Sequence, residues 1–246
     1  METYHKIQTL FKRHQDGPKK GKMIRGQWTT PALEFLAGCQ WDWTEKVDGT
    51  NWRINFHRIQ DHLTVKMAGR TDNADLPKPL KAKLEDMFPQ SPMGSGANAT
   101  VGLWMVDNDL TDVTLYGEGY GPKIQNGGLY SDEQNFVLFD VKIGDFWLER
   151  ENVADVGAKL GLDVVPSIGQ GTLFEAIEVV ETGLTWDSNG RMKNWGGSIN
   201  GKRRFAGLKS TWGDFEAEGI VARPLTPLFD RKGDRIITKI KAVDFK

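Results

Sequence analysis

Glu45-Lys46-Val47-Asp48-Gly49-Thr50-Asn51-Trp52-Arg53 is the stretch on which the reading of this chain turns. A lysine two residues before Asp-Gly, with an Asn and an Arg close behind, is what a lysine nucleophile at a strand end requires. The apolar alternation predicts a strand over Trp41–Val47, a bend at Asp48-Gly49 where glycine tolerates the turn, and a second strand over Trp52–Arg58. That reading gathers the Lys46 amine, the Asp48 carboxylate and the Asn51 amide at one hairpin mouth. A plain surface hairpin with a solvated lysine reads the same way, because Asp-Gly is a common turn signal. The rest of the chain decides between the two.

Further strand-like runs are Leu63–Ala68, Val113–Gly119, Phe136–Ile143, Gly219–Arg223 and Arg235–Val243, short, rich in β-branched or aromatic residues and bounded by Gly, Asp or Asn. Helical patterns are fewer. Lys78–Met87 carries Pro79 in its first turn and stops before Pro89. Glu149–Leu160 ends at Gly161, and Leu173–Thr182 follows Thr172 with Glu175 at capping-box spacing. Gln90–Thr100 reads as a loop, Asp107–Asp112 as a solvated turn, and Asp187–Gly201 as a loop or twisted hairpin. Clustered strands with interspersed helices predict an α+β fold of mostly antiparallel sheet.

Composition excludes several classes. The formal net charge of 246 residues is −1, so no global positive field advertises nucleic acid and any polyanion site must be local. A single cysteine, Cys39, rules out an internal disulfide and a cysteine zinc site, and the four histidines show no metal-ligand spacing. No apolar run approaches membrane length and no signal-peptide core opens the chain, so the expectation is a cytoplasmic protein with no membrane partner.

Other segments offer chemistry. Tyr116-Gly117-Glu118-Gly119-Tyr120-Gly121 delivers one carboxylate on a strand, with glycines on either side that would let a ligand approach the backbone. Phe136-Val137-Leu138-Phe139-Asp140-Val141 reads as a buried strand, or as one that turns a phenyl ring toward a base. Glu218-Gly219-Ile220-Val221 opens an apolar strand with a carboxylate suited to a metal or an amine. In Thr238-Lys239-Ile240-Lys241, period two sets both lysines on one face. Lys202, Arg203 and Arg204, with Lys209, form the strongest basic cluster and suggest phosphate contacts, and Lys6, Lys12, Arg13, Lys19, Lys20 and Lys22 make the first forty residues locally basic. Each segment alone also reads as an ordinary strand, strand end or surface patch.

Taken in order, these pieces resemble the motifs of the covalent nucleotidyltransferases, the superfamily of ATP-dependent ligases and capping enzymes. Lys46–Arg53 resembles motif I in its RNA-ligase form, where Asn51 favours RNA ligase over DNA ligase or capping enzyme. Gly69–Asp72 looks like motif Ia, Tyr116–Gly121 like motif III, Phe136–Val141 like motif IIIa, Glu218–Val221 like motif IV and Thr238–Lys241 like motif V. Gly121-Pro122 followed by Ile124-Gln125 is similar to the phage RNA ligase 2-like branch, which fits a phage-encoded protein in a host cytoplasm.

The resemblance implies one nucleotidyltransferase domain over residues 1–246, of packed antiparallel β-sheets with flanking helices. It implies an ATP-dependent RNA ligase that forms a covalent lysyl-AMP, transfers AMP to an RNA 5′-phosphate and seals that end to a 3′-hydroxyl. Lys46 would be the nucleophile, and Lys239 and Lys241 would hold the α-phosphate. Glu218 would organise Mg²⁺ or Mn²⁺, with Asp48 as a second metal ligand. Phe139 would stack on adenine, Glu45 would sit at the adenine edge and Glu118 would contact the ribose. Asn51 and Arg70 would lie near the AMP phosphate or the RNA end. Arg53, Arg70, Lys202, Arg203 and Arg204 are the expected RNA contacts. The chain ends five residues after Lys241. A separate C-terminal domain is therefore not expected, and the basic cluster or an accessory protein or domain in trans would serve instead. The alternatives are a DNA ligase, an RNA-capping guanylyltransferase, or a protein of the same fold that binds nucleotide or RNA without turnover.

The physical logic fits these roles. A free lysine has a pKa of about 10.4 and is almost wholly protonated at neutral pH, whereas a nucleophilic amine must be neutral. Neighbouring cations favour the neutral form. Attack at phosphorus gains most from positioning and charge neutralisation, which paired lysines and a carboxylate-held divalent ion supply.

Overall fold

The computed structural model describes residues 1–60, 62–89, 91–92, 98–186, 192–194, 198–199, 202–203 and 207–246. It is a mixed α+β fold built mainly from antiparallel sheets, with few helices. Its contacts divide into two compact units: residues 1–4 with 48–165, and residues 5–47 with 166–246.

The first unit is built on a seven-stranded sheet. Thr50–Ile59 lies at its centre between His62–Ala68 and Asp112–Tyr120; Asn135–Ile143 follows, and Phe146–Trp147 closes that edge. One face carries Trp52, Ile54, Phe56, Leu115 and Leu138. These pack with Leu80 and Leu84 of the Lys78–Met87 helix, Met105 of Asn98–Asp107, and Val153 and Val156 of Arg150–Leu160. The alternation that predicted the strands therefore places Asn51, Arg53 and Asn55 together on the opposite face.

The second unit holds a five-stranded sheet in the order Gln8–Thr9, Thr238–Lys241, Gly219–Pro224, Trp41–Glu45 and Ser167–Gly171. Only the first pair is parallel. Its core joins Trp41, Trp43, Ile220, Ala222 and Ile240 to Leu173, Ala176 and Val180 of the Leu173–Thr182 helix. That helix begins with the expected capping box: Thr172 accepts from the Glu175 amide, and the Glu175 carboxylate accepts from the Thr172 amide at 2.7 Å. It ends at Gly183 in the left-handed region, φ 65°.

Four expectations change. Trp41–Glu45 and Thr50–Ile59 do not form a hairpin; they belong to different sheets, and Asp48-Gly49 carries the chain from one to the other. Gly49 is required by a close approach rather than by a turn, since a Cβ there would lie 2.2 Å from the Gly119 carbonyl oxygen. The last strand is confined to Thr238–Lys241, and Ala242–Phe245 forms a 3₁₀ turn. Residues 98–100, read as loop, begin the Asn98–Asp107 helix, whose Val101 and Met105 fill the core.

Candidate active site

Lys46 stands just beyond the Trp41–Glu45 strand, its amide donating to the Gly219 carbonyl at 2.9 Å. Gly219 is in register with Lys241, so Lys46, Gly219 and Lys241 form one row across three strands. Gly219 leaves that row open between the two lysines. A Cβ there would fall 2.0 Å from the Ile240 carbonyl oxygen, and its φ of +147° already disfavours any side chain. The Glu218 carboxylate bridges the lysines. Its Oε2 accepts from Lys46 Nζ and its Oε1 from Lys241 Nζ, each at 2.6 Å. Lys46 Nζ also donates to the Val47 carbonyl at 3.3 Å. All three side chains retain part of their exposure, 19% for Lys46, 15% for Glu218 and 29% for Lys241. The trio therefore carries two cations and one anion at a surface that an anionic ligand can reach. Thr238 and Ile240 are buried while Lys239 and Lys241 are half-buried, the alternation the sequence predicts.

Glu45 departs from its expected place. It is in register with the core residue Ile220, and it is 1% exposed. Its carboxylate accepts from Ser210 Oγ at 2.5 Å, Thr211 Oγ1 at 2.6 Å and the Thr211 amide at 2.8 Å. These three donors make Glu45 a tether for the Ser210-Thr211 turn rather than a free acceptor for a base. Strand alternation sets it on the face opposite Lys46.

In the first unit the sheet face away from the helices carries the remaining candidates. Asn51 is in register with Glu118, which pairs in turn with Val137. Asn51 Oδ1 is buried with no hydrogen-bond partner, the state of an acceptor that a bound ligand would satisfy. Phe139 is the extra residue of a β-bulge: Tyr116 pairs with Asp140 and Gly117 with Leu138, leaving Phe139 unpaired between them. Its half-buried ring meets Tyr4 edge-on, centroids 5.1 Å apart. Tyr4 also packs on Tyr116 and Trp147 and donates to the buried Asp140 carboxylate at 2.8 Å. The glycines beside Glu118 serve the core, not a ligand. A Cβ at Gly117 would strike the Phe136 ring and one at Gly119 the Trp52 indole, at 2.2 and 2.5 Å.

Arg53 is also corrected. Its side chain is 0% exposed, with Nε donating to the Gly69 carbonyl at 2.7 Å. Nη1 reaches the Met1 and Glu2 carbonyls, and Nη2 the Asp72 carboxylate at 2.8 Å. A guanidinium so enclosed organises this unit. Arg70 is exposed. Asp48 accepts from Asn126 Nδ2 at 2.7 Å, and its amide donates to the Tyr130 hydroxyl. Among the described residues no group of three or more His, Cys, Asp or Glu is placed to hold a metal ion. Lys202–Arg203 pairs as a strand with Ser198–Ile199, and Arg204 lies outside the described residues. Gly219 and Tyr4 were not singled out from sequence. The glycine that directly follows Glu218 was the available signal for the first; the second had none.

The RNA ligase family model matches residues 40–241, the span that contains every strand and side chain of this arrangement from Trp41 to Lys241. This chain belongs to the RNA ligase family. Among solved structures it is similar to the Naegleria gruberi RNA ligase. One variant in apo form aligns with a TM-score of 0.50 and 16% identity, over 87% of this chain and 53% of that one. Another variant, with ATP and Mn, aligns with a TM-score of 0.50 and 15% identity, over 98% and 60%. At such identity the likeness concerns the fold, and this chain spans between half and three fifths of those chains. The curated proteins gave no match. No helix among the described residues is long and apolar enough to cross a membrane.

Proposed function

We propose that residues 1–246 make up one nucleotidyltransferase module acting as an ATP-dependent RNA ligase, with Lys46 as the nucleophile. The observation that carries this reading is the bridged trio, in which Glu218 holds the Lys46 and Lys241 ammoniums at 2.6 Å each within a family-matched span. Polyphosphate oxygens can replace the carboxylate on Lys241 without loss of charge pairing. In the first step the neutral Lys46 amine attacks the α-phosphorus, the Nζ–P bond forms, and the P–O bond to pyrophosphate breaks. Glu218 Oε2 is the group beside Nζ that can take the released proton. Lys239 and Lys241 neutralise charge on the α-phosphate as it rises. In the later steps an RNA 5′-phosphate receives AMP, and a 3′-hydroxyl displaces AMP to seal the strand.

The nucleoside roles fall to the first unit: Phe139 for adenine, Glu118 for ribose, Asn51 and Arg70 for phosphate. The unsatisfied Asn51 Oδ1 supports a polar ligand there. A divalent ion that leans on one carboxylate and on substrate phosphates fits Glu218, and it would supply charge neutralisation. The Naegleria variant with ATP and Mn is in line with that pairing of ligands. The test is incubation with α-labelled ATP and Mg²⁺ followed by denaturing electrophoresis. A labelled band from ATP, absent in Lys46→Ala, is expected. Labelling by GTP alone would move the chain to capping chemistry. No label from protein free of bound AMP would overturn the reading.

A further inference from the structure

The β-hairpin of Phe11–Arg13 and Met23–Trp28 carries a charge the rest of the chain does not share. Residues 11–28 contain six Lys or Arg against one carboxylate, Asp16. That is a formal charge of +5 in a chain whose total is −1. Lys12, Lys19, Lys20 and Lys22 are all exposed. None of the four pairs with a carboxylate among the described residues, whereas the other two cations are spent. Arg13 donates through Nη2 to both Asp244 oxygens at 2.6 and 2.7 Å, and Arg25 makes a bidentate pair with Glu181 at 2.7 and 2.8 Å.

Those pairs fix where the lysines stand. Gln8–Thr9, which leads into the hairpin, pairs with Thr238-Lys239, and the Leu10 amide donates to the Lys239 carbonyl. Asp244 lies in the 3₁₀ turn directly after Lys241. The hairpin is thus rooted along one edge and just past the C-terminal end of the strand that carries Lys239 and Lys241. Its tip is closed by its own bonds: the His14 amide to the Lys22 carbonyl, the Gly21 amide to the His14 carbonyl, and Arg13 Nη1 to the Gly21 carbonyl. Gly17 and Gly21 supply the left-handed φ of 71° and 81° that the tip needs. An anchored hairpin carrying four ammoniums with no carboxylate partner among the described residues keeps a local positive potential, where phosphate neutralisation with counterion release follows.

We infer that Lys12, Lys19, Lys20 and Lys22 form an RNA-backbone docking site on this hairpin. It reads phosphate charge without base specificity and delivers the RNA end toward the Lys239–Lys241 strand. The apolar groove at the hairpin's base, lined by Phe11, Trp28, Phe174 and Ile177, is rimmed by Glu178 and the Arg25–Glu181 pair and offers no free cation to the same backbone. The site rests on the RNA ligase reading for its substrate but is separable from it in experiment.

The test replaces Lys12, Lys19, Lys20 and Lys22 by Gln in the full chain. A control replaces four other exposed lysines, Lys78, Lys81, Lys83 and Lys159, with the same change in net charge. Binding of a nicked RNA duplex bearing a 5′-phosphate is measured from 50 to 200 mM salt. Four phosphate contacts contribute a slope of about −3.6 to log K against log salt, so wild type loses roughly 150-fold more affinity than the hairpin variant over that range. The control keeps the wild-type slope, and labelling by α-labelled ATP stays at the wild-type level in both. An unchanged slope in the hairpin variant overturns the site, as does equal loss in the control. Loss of binding to vesicles of one-third phosphatidylserine in phosphatidylcholine, with RNA binding intact, overturns it in favour of a membrane surface. Failure of the wild type to label with ATP counts against the ligase reading alone, because the salt slope is read without turnover.

Discussion

Replacing Arg53 distinguishes a structural guanidinium from an RNA contact by the order in which two variants fail. Arg53→Met keeps the apolar stem and removes the charge, while Arg53→Lys keeps the charge and removes the fork. In the folded chain the fork serves three main-chain carbonyls and Asp72 at once. The Met1 and Glu2 carbonyls belong to exposed residues and regain water when the guanidinium leaves, whereas the Gly69 carbonyl belongs to a buried residue. An orphaned interior carbonyl costs about 1–3 kcal/mol, and breaking a buried charge-assisted set costs about 3–5 kcal/mol in all. Asp72 is 64% exposed, so its share is screened and the lower end applies, about 3 kcal/mol. With an unfolding entropy near 0.5 kcal/mol/K for a chain of this length, Arg53→Met should melt roughly 6 °C below wild type. Arg53→Lys should melt at least as low, because a buried ammonium reaches fewer of the carbonyls and stays incompletely paired. An RNA contact predicts the reverse order in a binding assay: Lys retains phosphate affinity and Met loses it. Thermal melting by circular dichroism with RNA titrations in parallel decides the matter. Arg53→Lys melting within about 1 °C of wild type, together with weak RNA binding by Arg53→Met, would refute the structural assignment.

Gly219→Ala introduces a Cβ 2.0 Å from the Ile240 carbonyl oxygen at a φ of +147°, so the Gly219–Pro224 and Thr238–Lys241 strands must part. Lysyl-AMP formation should fall by more than tenfold, with a melting temperature several degrees lower; wild-type labelling would contradict the row geometry. Glu45→Gln removes the charge that three donors from Ser210 and Thr211 share, costing about 1–3 kcal/mol while leaving KM for ATP near wild type. A selective rise in that KM with unchanged melting would return Glu45 to the adenine. The Tyr120 phenol, 2% exposed, is pushed up to about 12 by burial and secondarily by the charge of Asp163. Between pH 10 and 12 the folded chain keeps a proton that the unfolded chain has lost, so stability is present below about pH 10 and declines as pH rises through 12. The loss is up to about 3 kcal/mol. Urea midpoints across that window should fall less steeply in Tyr120→Phe than in wild type.

What the sequence made legible was whatever a short window determines. The Lys78–Met87 and Leu173–Thr182 helices have their expected bounds because Pro79, the Thr172 and Glu175 cap and Gly183 act within a turn or two. The shared face of Lys239 and Lys241 follows from strand period alone. The motif around Lys46 was legible as strand, bend and strand, but not as a passage between two sheets. A hairpin and a crossover have the same local sequence, and only the distant partners differ: Gly219–Pro224 for the strand before the bend, Asp112–Tyr120 for the strand after it.

The same limit explains the misplaced side chains. Asn51, Arg53 and Asn55 alternate with Trp52, Ile54 and Phe56, and that pattern ordinarily marks a solvated face. Here residues 1–4 run along that face, their carbonyls taking Arg53 and Tyr4 covering Tyr116 and Phe139, so Arg53 became interior while Asn51 and Asn55 stay half-buried. The bulge at Phe139 shifts one residue of a strand against its neighbour, and its pairing partner is named nowhere in the local pattern. Glu218 shows the converse. Its type and its place before a strand pointed to a metal or an amine, and in the resting chain it pairs with two amines. Beside the bare Gly219, the carboxylate meets the Lys46 amine from 172 residues away in sequence and the Lys241 amine from the other flanking strand of the same sheet. Chemistry was therefore legible by residue type, while the partner each residue meets was set by strand pairings that no window of sequence contains.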